Sequence, residues 1–160
     1  MTRTHAVHPS PLGPLTLVVQ EGSLCGLHLQ GQRHLPDPAG FGPRDDGAGR
    51  EVAAQLDAYF AGDRQAFDVP VALAGTDFQQ RVWAALTQIP YGATWTYGRL
   101  AAHIGRPTAV RAVGTAAGRN PVCIVVPCHR LVGSGGSLTG YAGGTDRKRR
   151  LLDLEGDRQA

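Results

Sequence analysis

The stretch "TYGRLAAHIGRPTAVRAVGTAAG" (96–118) constrains the fold more than any other part of the chain. It reads as a short helix over "TYGRLAAHIG", a turn at "RPT" and a second helix over "AVRAVGTAAG" closed by glycine. Helix, tight Gly-containing turn, helix is the outline of a helix-turn-helix, which also occurs in proteins that never touch DNA. In the second helix Ala109, Ala112, Val113, Gly114, Thr115, Ala116, Ala117 and Gly118 are small, and only Arg111 projects far. A helix that reads base edges in the major groove usually offers Asn, Gln, Arg or Lys. Two uses remain for this one: close packing inside a domain, or a slim element pressed into the minor groove. A helix about 10 Å wide fits a groove about 6 Å wide only with small side chains and a widened, bent duplex.

The segments around it follow simpler rules. Thr76-Asp77-Phe78-Gln79 has capping-box spacing, and Phe78, Val82, Leu86 and Ile89 form one apolar face of a helix ended by Pro90. Earlier, "LTLVV" (15–19) and "LCGLHL" (24–29) alternate as a β-hairpin would. Residues 30–49 are rich in Gly and Pro and predict an exposed loop. "REVAAQLDAYFAG" sets Val52, Leu56, Tyr59 and Phe60 at helical spacing with Gly62 as a stop, and "QAFDVPVAL" predicts a further strand. "AGT" then links two domains, expected at 1–74 and 75–160.

Composition bounds the function classes. With 42% apolar and 18% charged residues in 160, the chain has globular composition and length for one ordinary domain or two small ones. It has no run near the ~18 apolar residues of a membrane span, so no membrane partner is expected. No apolar leader opens the sequence, and three cysteines cannot close a disulfide framework. A reducing, cytoplasmic location is the expectation. Residues 1–75 carry 5 basic and 8 acidic side chains, residues 76–160 carry 11 and 5, so the overall +3 hides net −3 and +6 halves. An anionic partner is expected on the second half.

The chemistry sits at "IVVPCHRLVG" (124–133), where Cys128 ends an apolar run beside His129 and Arg130. By itself such a thiol is core filler, metal ligand, half of a disulfide or nucleophile. The block "RAVGTAAGRNPVCIVVPCHRLVGSGGSLTGYAGGTDRKRRLLDLEG" (111–156) resembles the active-site region of the O6-alkylguanine-DNA alkyltransferases. "SPLGPLTLV", "AAQLDAYFAGDRQAF" and "GTDFQQRVWAALTQIPYGATWTYGRLA" resemble the same family in order, so the likeness covers nearly the whole chain. It implies an α/β ribonuclease-H-like N-terminal domain and a mainly α, helix-turn-helix (winged-helix-like) C-terminal domain that holds the thiol.

The resemblance also implies roles. Cys128 would attack the alkyl carbon on guanine O6 as a thiolate, and a free thiol with pKa ~8.5 is only a few per cent thiolate at neutral pH. His129 would take its proton through a water, Glu155 would orient His129, and Asn120 would brace the turn that carries the cysteine. Tyr97 would donate to the leaving purine. Tyr141 would line the pocket, with the Ala142 amide near O6 and backbone carbonyls at Cys128 and Leu131 selecting guanine. Arg111 would fill the space left by an extruded base. Lys148 matches a family lysine near the site, with no role assigned. The expected partners are double-stranded DNA, met through its minor groove by a monomer, and the flipped O6-alkylguanine base. No cofactor or metal is expected.

Three departures stand out. Cys123 replaces a residue that in the family is often proline, alanine or serine, which bears on pocket width. Ala93 stands where a glutamate is common. Cys25 near His28 lacks a four-ligand set for zinc and is expected as a buried strand residue. The competing readings are a non-catalytic lesion sensor, whose relatives commonly carry tryptophan in place of the cysteine, a cysteine hydrolase, and a plain DNA-binding regulator.

Overall fold

Three antiparallel strands, one more than the alternating runs predict, begin the chain. The computed structural model describes residues 2–138 and 140–156. It divides into two compact units, Met1–Ala74 with Pro121–Val125, and Gly75–Asn120 with Val126–Ala160. Residues 121–125 thus pack with the first unit, although they fall within the expected second domain.

In the first unit β1 (Arg3–His8), β2 (Leu15–Gln20) and β3 (Ser23–Leu29) form a sheet of order β1-β2-β3. The β2–β3 register shifts between Val18 and Val19, which breaks the inside–outside alternation at Cys25. Cys25 is therefore half-buried, not buried as expected, with its thiol 3.5 Å from the Val18 carbonyl. The expected strand over 65–73 is reduced to one bridge, Leu24 to Val71. Pro70 lends its carbonyl to Leu24 N but has no N–H to continue a ladder. A second rung on β3 comes from residues 121–123: Leu27 N donates to Pro121 O and Cys123 N to Leu27 O.

Helix α1 (Arg50–Phe60) buries Val52, Leu56 and Tyr59 and leaves Phe60 half-buried. Gly62 ends it with φ 82° and a bond from its N–H to Tyr59 O, the left-handed stop that glycine takes without a Cβ penalty. The loop over 30–49 is mostly exposed but is not featureless. A short 3-10 turn, Pro38–Phe41, capped by Asp37, buries Phe41 against the His28 ring.

The second unit is helical. The Thr76/Gln79 capping box closes in both directions and starts α2 (Asp77–Leu86). Its buried face is Val82, Trp83, Ala85 and Leu86, with Phe78 only half-buried. Each such large apolar side chain contributes roughly 1.5–3 kcal/mol when removed from water. Two short strands, β4 (Trp95–Thr96) and β5 (Leu131–Val132), pair in parallel. Between them in sequence lie α3 (Tyr97–His103) and α4 (Val110–Gly118), joined by a turn through Gly105 and Pro107. The Trp83 indole donates to Ala116 O at 2.9 Å, and Arg81 to Ile104 O, tying α2 to both neighbours. The last helix is α5 (Thr145–Leu154). No helix among the described residues is long and apolar enough to cross a membrane.

Candidate active site around Cys128

Cys128 is placed by a backbone that turns sharply twice. The bond from Val125 N to Cys123 O closes a γ-turn around Ile124, whose φ is 73°. A β-branched residue at positive φ is strained, and this hand of γ-turn is the rare one. The bond from Cys128 N to Val126 O closes a second γ-turn around Pro127 (φ −84°, ψ 64°), of the common inverse hand. Asn120, just beyond α4, fixes the result: its side-chain amide donates to Val126 O at 2.8 Å and to Cys128 Sγ at 3.2 Å. Cys128 is 6% exposed and opens a 3-10 turn, Cys128–Arg130.

His129, fully buried, meets Glu155 at the C-cap of α5, with His129 Nε2 2.7 Å from Glu155 Oε2. An ionised carboxylate only accepts, so Nε2 carries the hydrogen and Nδ1 keeps its lone pair. Nδ1 is buried with no hydrogen-bond partner among the described residues. Arg130 grips the same carboxylate twice, Nε to Oε1 at 2.8 Å and Nη2 to Oε2 at 3.0 Å. Its Nη1 donates to Ile89 O at 2.7 Å. Burial opposes charge on Glu155, but the hydrogen bonds from His129 and Arg130 and the positive charge of Arg130 outweigh it and bring its pKa down to about 2. Burial lowers the pKa of His129 against the pull of Glu155, with Arg130 and Lys148 adding to the lowering. The imidazole is therefore a neutral base at physiological pH.

Lys148 on α5 is completely buried, with Nζ 5.9 Å from the centre of the Tyr97 ring. Burial brings its pKa down to about 8, partly offset by its attraction to Cys128. That attraction is mutual, so the ammonium favours the thiolate form of Cys128. Tyr97 opens α3 beside Gly114 and Gly140. A Cβ added at Gly140 would lie 2.7 Å from the Tyr97 hydroxyl oxygen. No group of three or more His, Cys, Asp or Glu among the described residues is arranged to hold a metal ion.

This is a thiol with a held sulfur, a neutral base oriented by a carboxylate, and a buried cation: the composition of an activated nucleophile. Residues 77–157 match the DNA-binding domain of 6-O-methylguanine DNA methyltransferase, and residues 4–73 match its ribonuclease-like domain. The methylated-DNA–protein-cysteine methyltransferase of Mycobacterium tuberculosis is 53% identical over 149 residues, 93% of this chain and 90% of its own. The chain belongs to the 6-O-methylguanine DNA methyltransferase family. Its counterpart from Methanosarcina acetivorans is 48% identical over 153 residues, 95% of this chain and 97% of its own. Among solved structures, the O6-methylguanine methyltransferase of M. tuberculosis superposes with a TM-score of 0.90 at 50% identity, covering 99% of this chain and 95% of that one. The same organism's protein in complex with DNA gives 0.92 at 51% identity, covering 96% and 93%.

The residues singled out in the sequence fall into three groups in this methyltransferase-family chain. Asn120 with Cys128, and His129 with Glu155, are in hydrogen-bond contact, and Lys148 lies near Tyr97 and acts on Cys128. Tyr141, Ala142 and Leu131 are buried in the same unit. Arg111 is exposed on α4 beside Val110 and Ala112. Arg130 joins the site in the fold, although the sequence assigns it no role there. The available signal was its adjacency to His129, combined with burial that only the fold reveals.

Proposed function

We propose that the chain repairs alkylated DNA directly, taking the alkyl group of O6-alkylguanine onto its own Cys128. The observation that carries the reading is the Asn120-held sulfur of Cys128 beside the buried His129–Glu155 pair. The relatives named methylated-DNA–protein-cysteine methyltransferase are half identical over nearly the whole chain. Cys128 loses its proton to His129 Nδ1 by way of a water. The thiolate then attacks the alkyl carbon in line, the S–C bond forms, and the C–O6 bond breaks with its electron pair going to the purine. Tyr97 donates its hydroxyl proton to that purine, and Lys148 offsets the thiolate charge beforehand. The product is a thioether. Thiol exchange breaks sulfur–sulfur bonds, not carbon–sulfur bonds, so no reaction within the chain restores the thiol.

In this reading α3, its turn and α4 act as a helix-turn-helix that meets double-stranded DNA through the minor groove. The exposed face Val110, Arg111, Ala112 and Thr115 is the slim, singly charged surface such a groove needs. The O6-alkylated base is flipped out, because in-line attack on its substituent is blocked inside the stack. Arg111 fills the gap. Tyr141, Ala142 and the Leu131 backbone line the base pocket. The chain works as a monomer, in the cytoplasm, without a cofactor.

The test is stoichiometry. Excess methylated duplex should give a burst that stops at one methyl per protein molecule, with intact mass and peptide mapping placing one added CH2 on Cys128. Cys128→Ala should lose transfer and keep DNA affinity within a few-fold, whereas Cys25→Ala and Cys123→Ala should keep transfer. Continued turnover with Cys128 recovered unmodified would overturn the reading and favour a hydrolase.

A further inference from the structure

Glu155 is an improbable place for a negative charge. It is buried, and it caps the C-terminal end of α5, where the helix presents carbonyl oxygens and partial negative charge. His129, its hydrogen-bond partner, is neutral and cannot balance it. The groups facing this carboxylate from each packed element are few. They are His129 and Arg130 from the 3-10 turn, Tyr91 from the segment after α2, and, further along α5, Lys148, which acts on His129. Arg130 is the cation that hydrogen-bonds the carboxylate directly. It reaches both carboxylate oxygens, its third arm is taken by Ile89 O, and the Tyr91 ring lies 5.7 Å beneath it. Each of the three guanidinium nitrogens thus donates one hydrogen bond into the surrounding structure.

Resting on the reading of Cys128 as alkyl acceptor, we propose that Arg130 is a positioning residue of the reaction: by gripping both oxygens of Glu155 it keeps that carboxylate an acceptor, and so leaves His129 Nδ1 as the nitrogen that takes the Cys128 proton. The alternative state shows why this matters. A protonated Glu155 would donate to His129 Nε2, the ring hydrogen would move to Nδ1, and the nitrogen on the other side of the ring would have no lone pair. The triad would have its parts in place and the wrong tautomer. Arg130 also opposes a second proton on His129, which keeps the base free at neutral pH.

The test is the pH profile of single-turnover transfer from methylated duplex, from about pH 5.5 to about pH 9. Wild type rises with pH through the titration of the Glu155–His129 pair. Arg130→Met removes the cation, so the pair holds its extra proton to higher pH: the acid limb moves up. The rate falls about tenfold or more near neutrality, and the deficit shrinks as pH rises. Glu155→Gln should lose a similar factor, and adding Arg130→Met to it should lose little more, because both act through one carboxylate. Nitrogen chemical shifts of His129 should report hydrogen on Nε2 in wild type and a population on Nδ1 in Arg130→Met. Where Arg130→Met does not fold, Arg130→Lys keeps the charge without the fork and should show a smaller upward displacement. A loss constant across pH, full additivity with Glu155→Gln, or an Arg130→Lys acid limb in the wild-type place would each overturn the proposal. Wild type failing to transfer at all would instead overturn the function it rests on.

Discussion

The side-chain amide of Asn120 binds Val126 O and Cys128 Sγ at once, at 2.8 and 3.2 Å, so one residue holds both the backbone turn and the reacting atom. Replacing it takes one of two donors from the Val126 carbonyl, a loss of about 0.5–1.5 kcal/mol, and frees the sulfur from its place. Asn120→Ala should therefore lower the melting temperature and slow transfer about tenfold or more, with a larger effect on rate than on DNA affinity. Thermal melting, single-turnover kinetics and DNA titration separate the three.

Lys148 should show the opposite balance. Its pKa is brought down to about 8 by burial, so below that pH the fold carries a buried ammonium that the unfolded chain would hold in water. Between about pH 8 and the ordinary lysine value the unfolded chain binds more protons, and stability rises with pH. Lys148→Met should melt no lower than wild type at neutral pH and yet slow transfer about tenfold, because the thiolate loses its counter-charge. A melt well below wild type would mean that the lysine serves structure first.

For Arg111, exposed on α4, the expected signature is substrate-dependent. If it fills the gap left by a flipped base, Arg111→Ala slows transfer from duplex far more than from free O6-methylguanine, since only the duplex incurs the few kcal/mol of unstacking. Equal slowing of both substrates would assign the arginine to folding instead.

His28 makes the first unit acid-sensitive. Burial pushes its pKa down to about 4, and its Nδ1 has no partner among the described residues. A base with a depressed folded pKa gives stability that is present above its unfolded value and lost as pH falls from about 6.5 to about 4, on the order of 3 kcal/mol in all. His28→Leu should flatten this part of the acid-unfolding curve, followed by circular dichroism. An unchanged curve would place the acid sensitivity elsewhere.

Gly75 abuts the buried Trp83 so closely that a Cβ there would lie 2.5 Å from the indole ring. Gly75→Ala should destabilise by about 1–3 kcal/mol, as overpacking does, while transfer per folded molecule is retained. Denaturant melts set against active-site titration would test this.

What could be read from the sequence was local. The Thr76/Gln79 box, the Val52/Leu56/Tyr59 face and the Gly62 stop are patterns within one or two turns of a helix, and all are present. Strand β1 leaves no mark in the sequence because it is a sheet edge whose only buried residue is Ala6, so it has no apolar alternation. The half-exposure of Cys25 cannot be read from its own strand, because a bulge between Val18 and Val19 shifts the register, and register belongs to a pair of strands, not to either alone. At the site, Cys128 and His129 stand out because they are adjacent and reactive. Arg130 stands beside them in the sequence, but its role depends on Ile89 and Glu155, which are distant in the chain and meet it only in the fold.

The paired γ-turns at Ile124 and Pro127 have a consequence for chain length. Asn120 and Cys128 stand eight positions apart, yet a side chain of one touches the sulfur of the other, so the intervening residues work as a gauge of fixed length. Slack cannot be absorbed at the start of the gauge, where Pro121 and Cys123 are stitched to Leu27, nor at its end, where Val126 O accepts both Asn120 and Cys128 N. Substituting within 121–126 changes side chains that are mostly buried filler. Inserting or deleting one residue there would move the sulfur off its donor altogether, so the span is less forgiving of a changed count than of a changed letter.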